Sequence, residues 1–248
     1  MGKLDVLAFG AHPDDTELGC SGTLASLVQQ GLRVGVVDLT RGEMGSRGTP
    51  EVRVDEARKA SEILGLVSRD HVGLPDTELI NNRNNQLPII QLVRLYKPHI
   101  CILPAPVDRH PDHGNASALL IDALYYSGLV KIETKDREGI IQKPHRPAHI
   151  IHYIQDDFLK PDFVFDISSS IEIKERAIMA FKTQFNVQNP GDEPATYISD
   201  PDFIKSLRAR AKMLGHMGGF EYGEGFIFNQ KPFPTSDFHF LMGTNPKR

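Results

Sequence analysis

Val6-Leu7-Ala8-Phe9-Gly10-Ala11-His12-Pro13-Asp14-Asp15 is an apolar run that ends abruptly in a histidine and two adjacent carboxylates. Short, continuous apolar runs of this kind form strands buried on both faces of a parallel sheet. The residues that stop the run are those that ligate a borderline-soft cation such as zinc and supply a general base beside it. A second cluster, Asp108-Arg109-His110-Pro111-Asp112-His113, follows another apolar run, Ile100-Cys101-Ile102-Leu103. Two strands that both finish in His-Pro-Asp imply one site assembled from two loops.

Strand and helix alternate outward from this point. Residues 4–9 read as a strand, and residues 16–30 as a helix stopped at Gly31. Residues 33–39 are a strand, 40–49 a Gly-rich charged loop, and 52–64 a helix ended by Gly65. A short strand over 69–74 and a helix over 86–96, closed by Lys97-Pro98, precede the strand over 100–103. A helix runs from about 115 to 126. This order predicts an α/β fold, a Rossmann-like and largely parallel sheet with helices on both faces. Ligands in such sheets bind beyond the carboxyl ends of the strands, where both clusters lie.

The later residues change character. Strands are expected over 149–154 and 163–167, an amphipathic helix over 171–185, a polar loop over 186–195 and a helix over 201–214. Phe220-Glu221-Tyr222-Gly223-Glu224-Gly225-Phe226 and a Pro-rich stretch from Lys231 receive no element. With no internal repeat or linker, residues 1–248 read as one domain. Its α/β core spans about 1–130, and strands and helices over about 148–230 complete the fold.

Composition narrows the function classes. A formal net charge of −4 offers nothing to nucleic acid or an anionic membrane, and no apolar run approaches a membrane span. The amino terminus runs straight into a strand, so neither a signal peptide nor a lipid anchor is expected, and the cytoplasm is the expected compartment. Cys20 and Cys101 sit far apart among apolar neighbours, as buried inert thiols do.

His12 and Asp15 are three residues apart on a turn entering a helix, so both can converge on one ion. Asp14 is then free to accept a proton. His113 could complete a His-Asp-His set with an open position, the arrangement of a catalytic site. His110 could stabilise an oxyanion or protonate a leaving group, and Asp112 could hold a histidine tautomer. The plainer reading makes Asp15 a helix cap and His12 a buried hydrogen-bonded histidine. The second His-x-x-His weighs against it. Arg41, Glu43, Arg47 and Arg53 form either a solvated charged loop or a wall that clamps an acidic substrate, and Arg109 is a further candidate. The seven histidines outside the two clusters read as ordinary surface or core residues. Gly10, Gly19 and Gly22 do not match the dinucleotide-binding spacing, and Asp14-Asp15 would repel a pyrophosphate.

The segments AHPDDTELGCSGTL (11–24) and DRHPDH (108–113) resemble the PIG-L/LmbE-like metal-dependent N-acetylglucosaminyl deacetylases. The resemblance continues through Thr40 to Glu43, Lys160 to Phe163, Gln184-Phe185 and Tyr222 to Phe226. Within that family it is strongest to the bacillithiol-biosynthesis deacetylases, which act on N-acetylglucosaminyl-malate. The resemblance implies the LmbE-like deacetylase fold, with His12, Asp15 and His113 as zinc ligands, ferrous iron also suiting the donors. It implies Asp14 as general base, His110 as electrostatic or acid partner, Asp112 as the support of His110, and Arg53 against the acidic part of an amino-sugar substrate. Glu43 and Arg109 join Arg53 as candidate substrate residues. It also implies a homo-oligomer, up to a hexamer. Competing readings are a general N-acetylglucosamine or chitobiose-type deacetylase, a thiol-conjugate amidase and a nucleotide-sugar-binding module, the last disfavoured by the missing phosphate loop.

Overall fold

A computed structural model describes residues 2–185 and 194–229 of the chain. In chain order the elements are β1 (Val6–Gly10), α1 (Asp15–Gln29), β2 (Val34–Asp38), α2 (Pro50–Leu64), β3 (Ser68–His71), α3 (Arg83–Tyr96), β4 (Ile100–Leu103) and α4 (Pro111–Ser127). They continue with β5 (His149–Tyr153), β6 (Phe163–Asp166), α5 (Ile171–Ile178), α6 (Lys182–Phe185), a 3-10 turn (Tyr197–Ser199), α7 (Pro201–Gly218) and β7 (Gly223–Phe228). The strands form one sheet in the order β3-β2-β1-β4-β5-β7-β6. β1 pairs in parallel with β2 on one side and β4 on the other, and β3 and β5 extend the parallel part. Strand order therefore reverses between β1 and β4, and the loops after these two strands diverge to open a crevice. The two clusters lie in those loops.

The apolar runs are buried on both faces, as their continuity requires. Leu7 and Phe9 face α3 and α4, joining Ile89, Ile90, Val93, Leu119 and Leu120 in one core. Val6 and Ala8 face the opposite layer with Cys20, Leu24, Val34 and Val36. Both cysteines are buried and unbridged. α1 packs so close to β5 that a Cβ on Gly19 would stand 2.2 Å from the Tyr153 ring. That contact explains a glycine which serves no phosphate loop. Gly65 ends α2 with φ 71°, the left-handed conformation a helix stop favours.

Three expectations change. α4 begins at Pro111 rather than near residue 115, because proline at the first helical position is pre-organised and the His110 side chain accepts from the Asp112 N–H. The single helix expected over 171–185 is two, α5 and α6. The Glu56 carboxylate takes both the N–H and the hydroxyl of Thr183, a tertiary tie that restarts the chain just after the break. β7 is the strand that hydropathy did not assign. It runs antiparallel between β5 and β6, carrying Glu224 into the interior. Most of the polar loop expected over 186–195, and the Pro-rich stretch from Lys231, lie outside the described residues. Among the described residues no helix is long and apolar enough to cross a membrane.

Candidate active site

β1 delivers His12, Asp14 and Asp15 to the crest of the sheet, and β4 delivers Asp108, His110, Asp112 and His113. Asp14 stands at the N-cap of α1 with φ 110°, a conformation costly for a residue with a side chain, and its carboxylate makes no cap bond. It points into a cavity of about 190 Å³ that His12, Asp15, Arg53, Asp76, His110, His113 and Gln155 also line. A larger cavity of about 720 Å³, between α2 and β3, adjoins the site loop only at Pro13 and is lined by none of the cluster's side chains. Chemistry rather than size selects the site.

The two imidazoles are held alike, through opposite ring nitrogens. His113 Nδ1 is 2.6 Å from Asp108 Oδ2, while its Nε2 lies 3.1 Å from Asp15 Oδ1. His12 Nε2 is 2.9 Å from Asp76 Oδ1 and 3.2 Å from Asp112 Oδ2, while its Nδ1 lies 3.4 Å from Asp15 Oδ2. Each ring thus has one nitrogen pinned by carboxylate and the other turned to Asp15. Histidines that ligate metals are commonly held by their second nitrogen in this way. His110 lies close to both, its ring centroid 4.9 Å from that of His12 and 5.2 Å from that of His113. Its Nδ1 accepts the Asp112 N–H at 3.2 Å, so the neutral ring carries its proton on Nε2.

Charge in the cluster is unbalanced. Asp14, Asp15, Asp76 and Asp112 are each no more than 6% exposed, and of the two arginines that line the cavity only Arg53 is buried with them, Arg109 being exposed. Burial pushes the Asp14 carboxyl up to about 7, with the Arg53 charge opposing and the Asp15 charge adding. Burial also disfavours a charged His12, but hydrogen bonds to Asp112, Asp15 and Asp76 outweigh it and raise its pKa well above the ordinary value. His113 rises to about 10 against its burial, because of the Asp15 charge and the bonds to Asp108 and Asp15. His110 moves the other way, lowered by burial and by the neighbouring imidazoles. Carboxylates that hold protons on buried imidazoles form a donor set in which a divalent cation can replace those protons. The residues therefore fit a metal. His12, His110 and His113 can each place a ligand atom within 4.8 Å of the others, and so can His12, Asp76 and Asp112.

The other expected residues divide. The Arg53 guanidinium donates to Pro13 O at 2.6 Å, Gly42 O at 3.1 Å and Asp14 Oδ2 at 3.2 Å, so it braces the base and its loop. Glu43 accepts the Asp76 N–H at 2.8 Å and the Arg41 N–H at 3.2 Å, and supports the Asp76 loop. Arg109 lies at the rim, paired with Asp156 at 2.6 Å and stacked 4.5 Å from the Tyr197 ring. The Asp112 carboxylate meets His12 rather than His110, which it approaches only through its backbone N–H. Sequence reading missed Asp76 and Gln155. Pro-Asp offers a signal for the first: Pro13-Asp14, Pro75-Asp76 and Pro111-Asp112 each follow a parallel strand, and all three carboxylates reach the cluster. Gln155 follows β5 with no sequence mark.

The α/β sheet and the metal-competent cluster at its crest have counterparts among known proteins. The family described as PIG-L, GlcNAc-PI de-N-acetylase, matches residues 7–124. The diacetylchitobiose deacetylase of Thermococcus kodakarensis is 31% identical over 234 residues, 90% of this chain and 82% of that protein. A conserved protein of Thermus thermophilus superposes with TM-score 0.81 at 36% identity, covering 94% of this chain and 98% of that one. The N,N'-diacetylchitobiose deacetylase of Pyrococcus horikoshii, solved with an inhibitor, gives TM-score 0.74 at 26% identity, over 90% and 82% of the two chains. The chain belongs to the PIG-L family of de-N-acetylases.

Proposed function

We propose that the chain is a metal-dependent N-deacetylase that releases acetate from an N-acetylglucosamine derivative, and that this derivative is N-acetylglucosaminyl-malate of bacillithiol biosynthesis. The observation that carries the reaction is the convergence of two carboxylate-pinned imidazoles on Asp15, beside a buried base. His12, Asp15 and His113 would hold the ion, with zinc as the first choice and ferrous iron equally suited to these donors. When bound, it polarises the acetamide carbonyl and lowers the pKa of water toward neutrality.

The chain's own groups do the rest. Asp14, held by Arg53 at the cavity wall with its pKa raised to about 7, is matched to taking a proton from the attacking water and returning it to the departing amine. His110, neutral and carrying its proton on Nε2, donates to the oxyanion as the carbonyl carbon becomes tetrahedral. Arg109, half-exposed at the rim, is the cation that a carboxylated aglycone meets first. The diacetylchitobiose deacetylases among the relatives support a second substrate, a neutral disaccharide. Acetate release from N-acetylglucosaminyl-malate, diacetylchitobiose and free N-acetylglucosamine separates the two. The malate conjugate is expected to give the highest kcat/KM, and Arg109→Ala to raise KM for that substrate alone. Faster turnover of diacetylchitobiose would overturn the malate assignment.

A further inference from the structure

Gln155, two residues past the end of β5, is 7% exposed and reaches the cluster. Its Nε2 donates to Asp15 Oδ1 at 2.8 Å, the same oxygen that His113 Nε2 approaches at 3.1 Å. The other oxygen, Oδ2, accepts the His12 backbone N–H at 2.8 Å. Each Asp15 oxygen therefore accepts one amide N–H, which fixes the plane of the carboxylate and leaves a further lone-pair site on each oxygen. One N–H comes from the β1 loop itself, the other from a strand that the sheet brings in 140 residues later.

The arrangement carries a cost. With Nε2 turned to Asp15, Gln155 Oε1 is left buried with no hydrogen-bond partner among the described residues. An unsatisfied buried carbonyl costs roughly 1–3 kcal/mol, and an apolar residue of similar size would avoid it. Stability alone would not place an amide here.

We infer that Gln155 is a positioning residue for the metal centre, its amide N–H setting the orientation of the Asp15 carboxylate toward the ion. The inference rests on Asp15 being a ligand. Groups that orient metal ligands in this way contribute about 10–100-fold to metal affinity or activity. Leucine at 155 removes the donor and also the unsatisfied carbonyl. Glutamate keeps the size but presents a carboxyl where the N–H stood.

The test measures metal affinity by chelator competition, kcat and KM, and the thermal midpoint of the metal-free protein, for wild type, Gln155→Leu and Gln155→Glu. Both variants are expected to bind zinc about 10–100-fold more weakly and to lose kcat with KM little changed. Metal-free Gln155→Leu is expected to melt at or above the wild-type midpoint. Zinc affinity and kcat within twofold of wild type in either variant would overturn the inference. So would a loss confined to a variant whose metal-free form melts lower. Asp15→Ala separates this from the underlying reading. If it keeps stoichiometric zinc, Asp15 is no ligand; if it loses zinc while Gln155→Leu keeps wild-type affinity, only the role of Gln155 falls.

Discussion

Two buried charge assemblies sit within one helix of each other and are built on opposite rules. Below the crest, every carboxylate meets a permanent cation. Arg69 is held between Glu17 at 2.6 Å and Asp38 at 2.7 Å, and Lys174 pairs with Glu224 at 2.6 Å. The second pair is stitched into α1: Glu224 accepts the N–H groups of Gly22 and Thr23, and Lys174 donates to the carbonyls of Glu17 and Leu18. At the crest, five carboxylates with buried side chains share two imidazoles and Arg53, and only Asp14 among them pairs with that permanent cation. These cation-paired assemblies hold α1 to β3, α5 and β7. At the crest the remaining carboxylates face imidazoles instead, a donor set that can accept a cation.

The contrast breaks most sharply between the adjacent aspartates. Asp14→Ala is expected to keep stoichiometric metal and lose about 10²–10⁴-fold in kcat. Asp15→Ala is expected to lose the metal itself, so metal content measured beside turnover tells the two apart. Wild-type turnover in metal-loaded Asp14→Ala would overturn the assignment of the base.

Next in size is the matched pair beneath. Lys174→Met leaves Glu224 buried without its counter-charge, at an expected cost of up to about 3–5 kcal/mol in urea unfolding. The double variant Lys174→Met/Glu224→Gln should recover much of that loss. Both should retain activity per folded molecule at low denaturant, since neither residue reaches the cavity. Activity lost in proportion to metal content would instead tie this pair to the crest.

The smallest effect concerns pH. His152 is buried and donates through Nδ1 to Pro104 O at 2.7 Å, and burial lowers its pKa below the ordinary 6.5, against that bond. The unfolded chain therefore binds this proton more readily than the native one. The native advantage is complete above about pH 6.5 and declines as pH falls below it, by at most about 1.4 kcal/mol per pH unit for one proton. His152→Gln should flatten that decline between pH 7 and 5 in denaturant titrations. An identical slope in the two proteins would show that His152 titrates alike folded and unfolded.

The parallel half was legible because its signals are local. Continuous apolar runs marked β1, β2 and β4, Gly65 marked the end of α2, and the His-Pro-Asp repeats marked the loops that meet. The C-terminal part was harder to read. β7 opens Gly-Glu-Gly, and the buried Glu224 is tolerable there because Lys174 and the backbone of α1 neutralise it. The break between α5 and α6 likewise follows a bond from Glu56, 127 residues away from Thr183.

By itself, the sequence determined the α/β class, the strands that end in chemistry, and the residue types gathered there. Local pattern specifies those features through hydropathy period, turn residues and ligand chemistry. Tertiary structure alone decided which carboxylate meets which imidazole, that Arg53 braces the base, and that Asp76 and Gln155 belong to the cluster. Those partnerships join residues up to 140 positions apart. They exist only because strand order reverses between β1 and β4 and brings the crest loops together, a property of the folded sheet that no local stretch encodes.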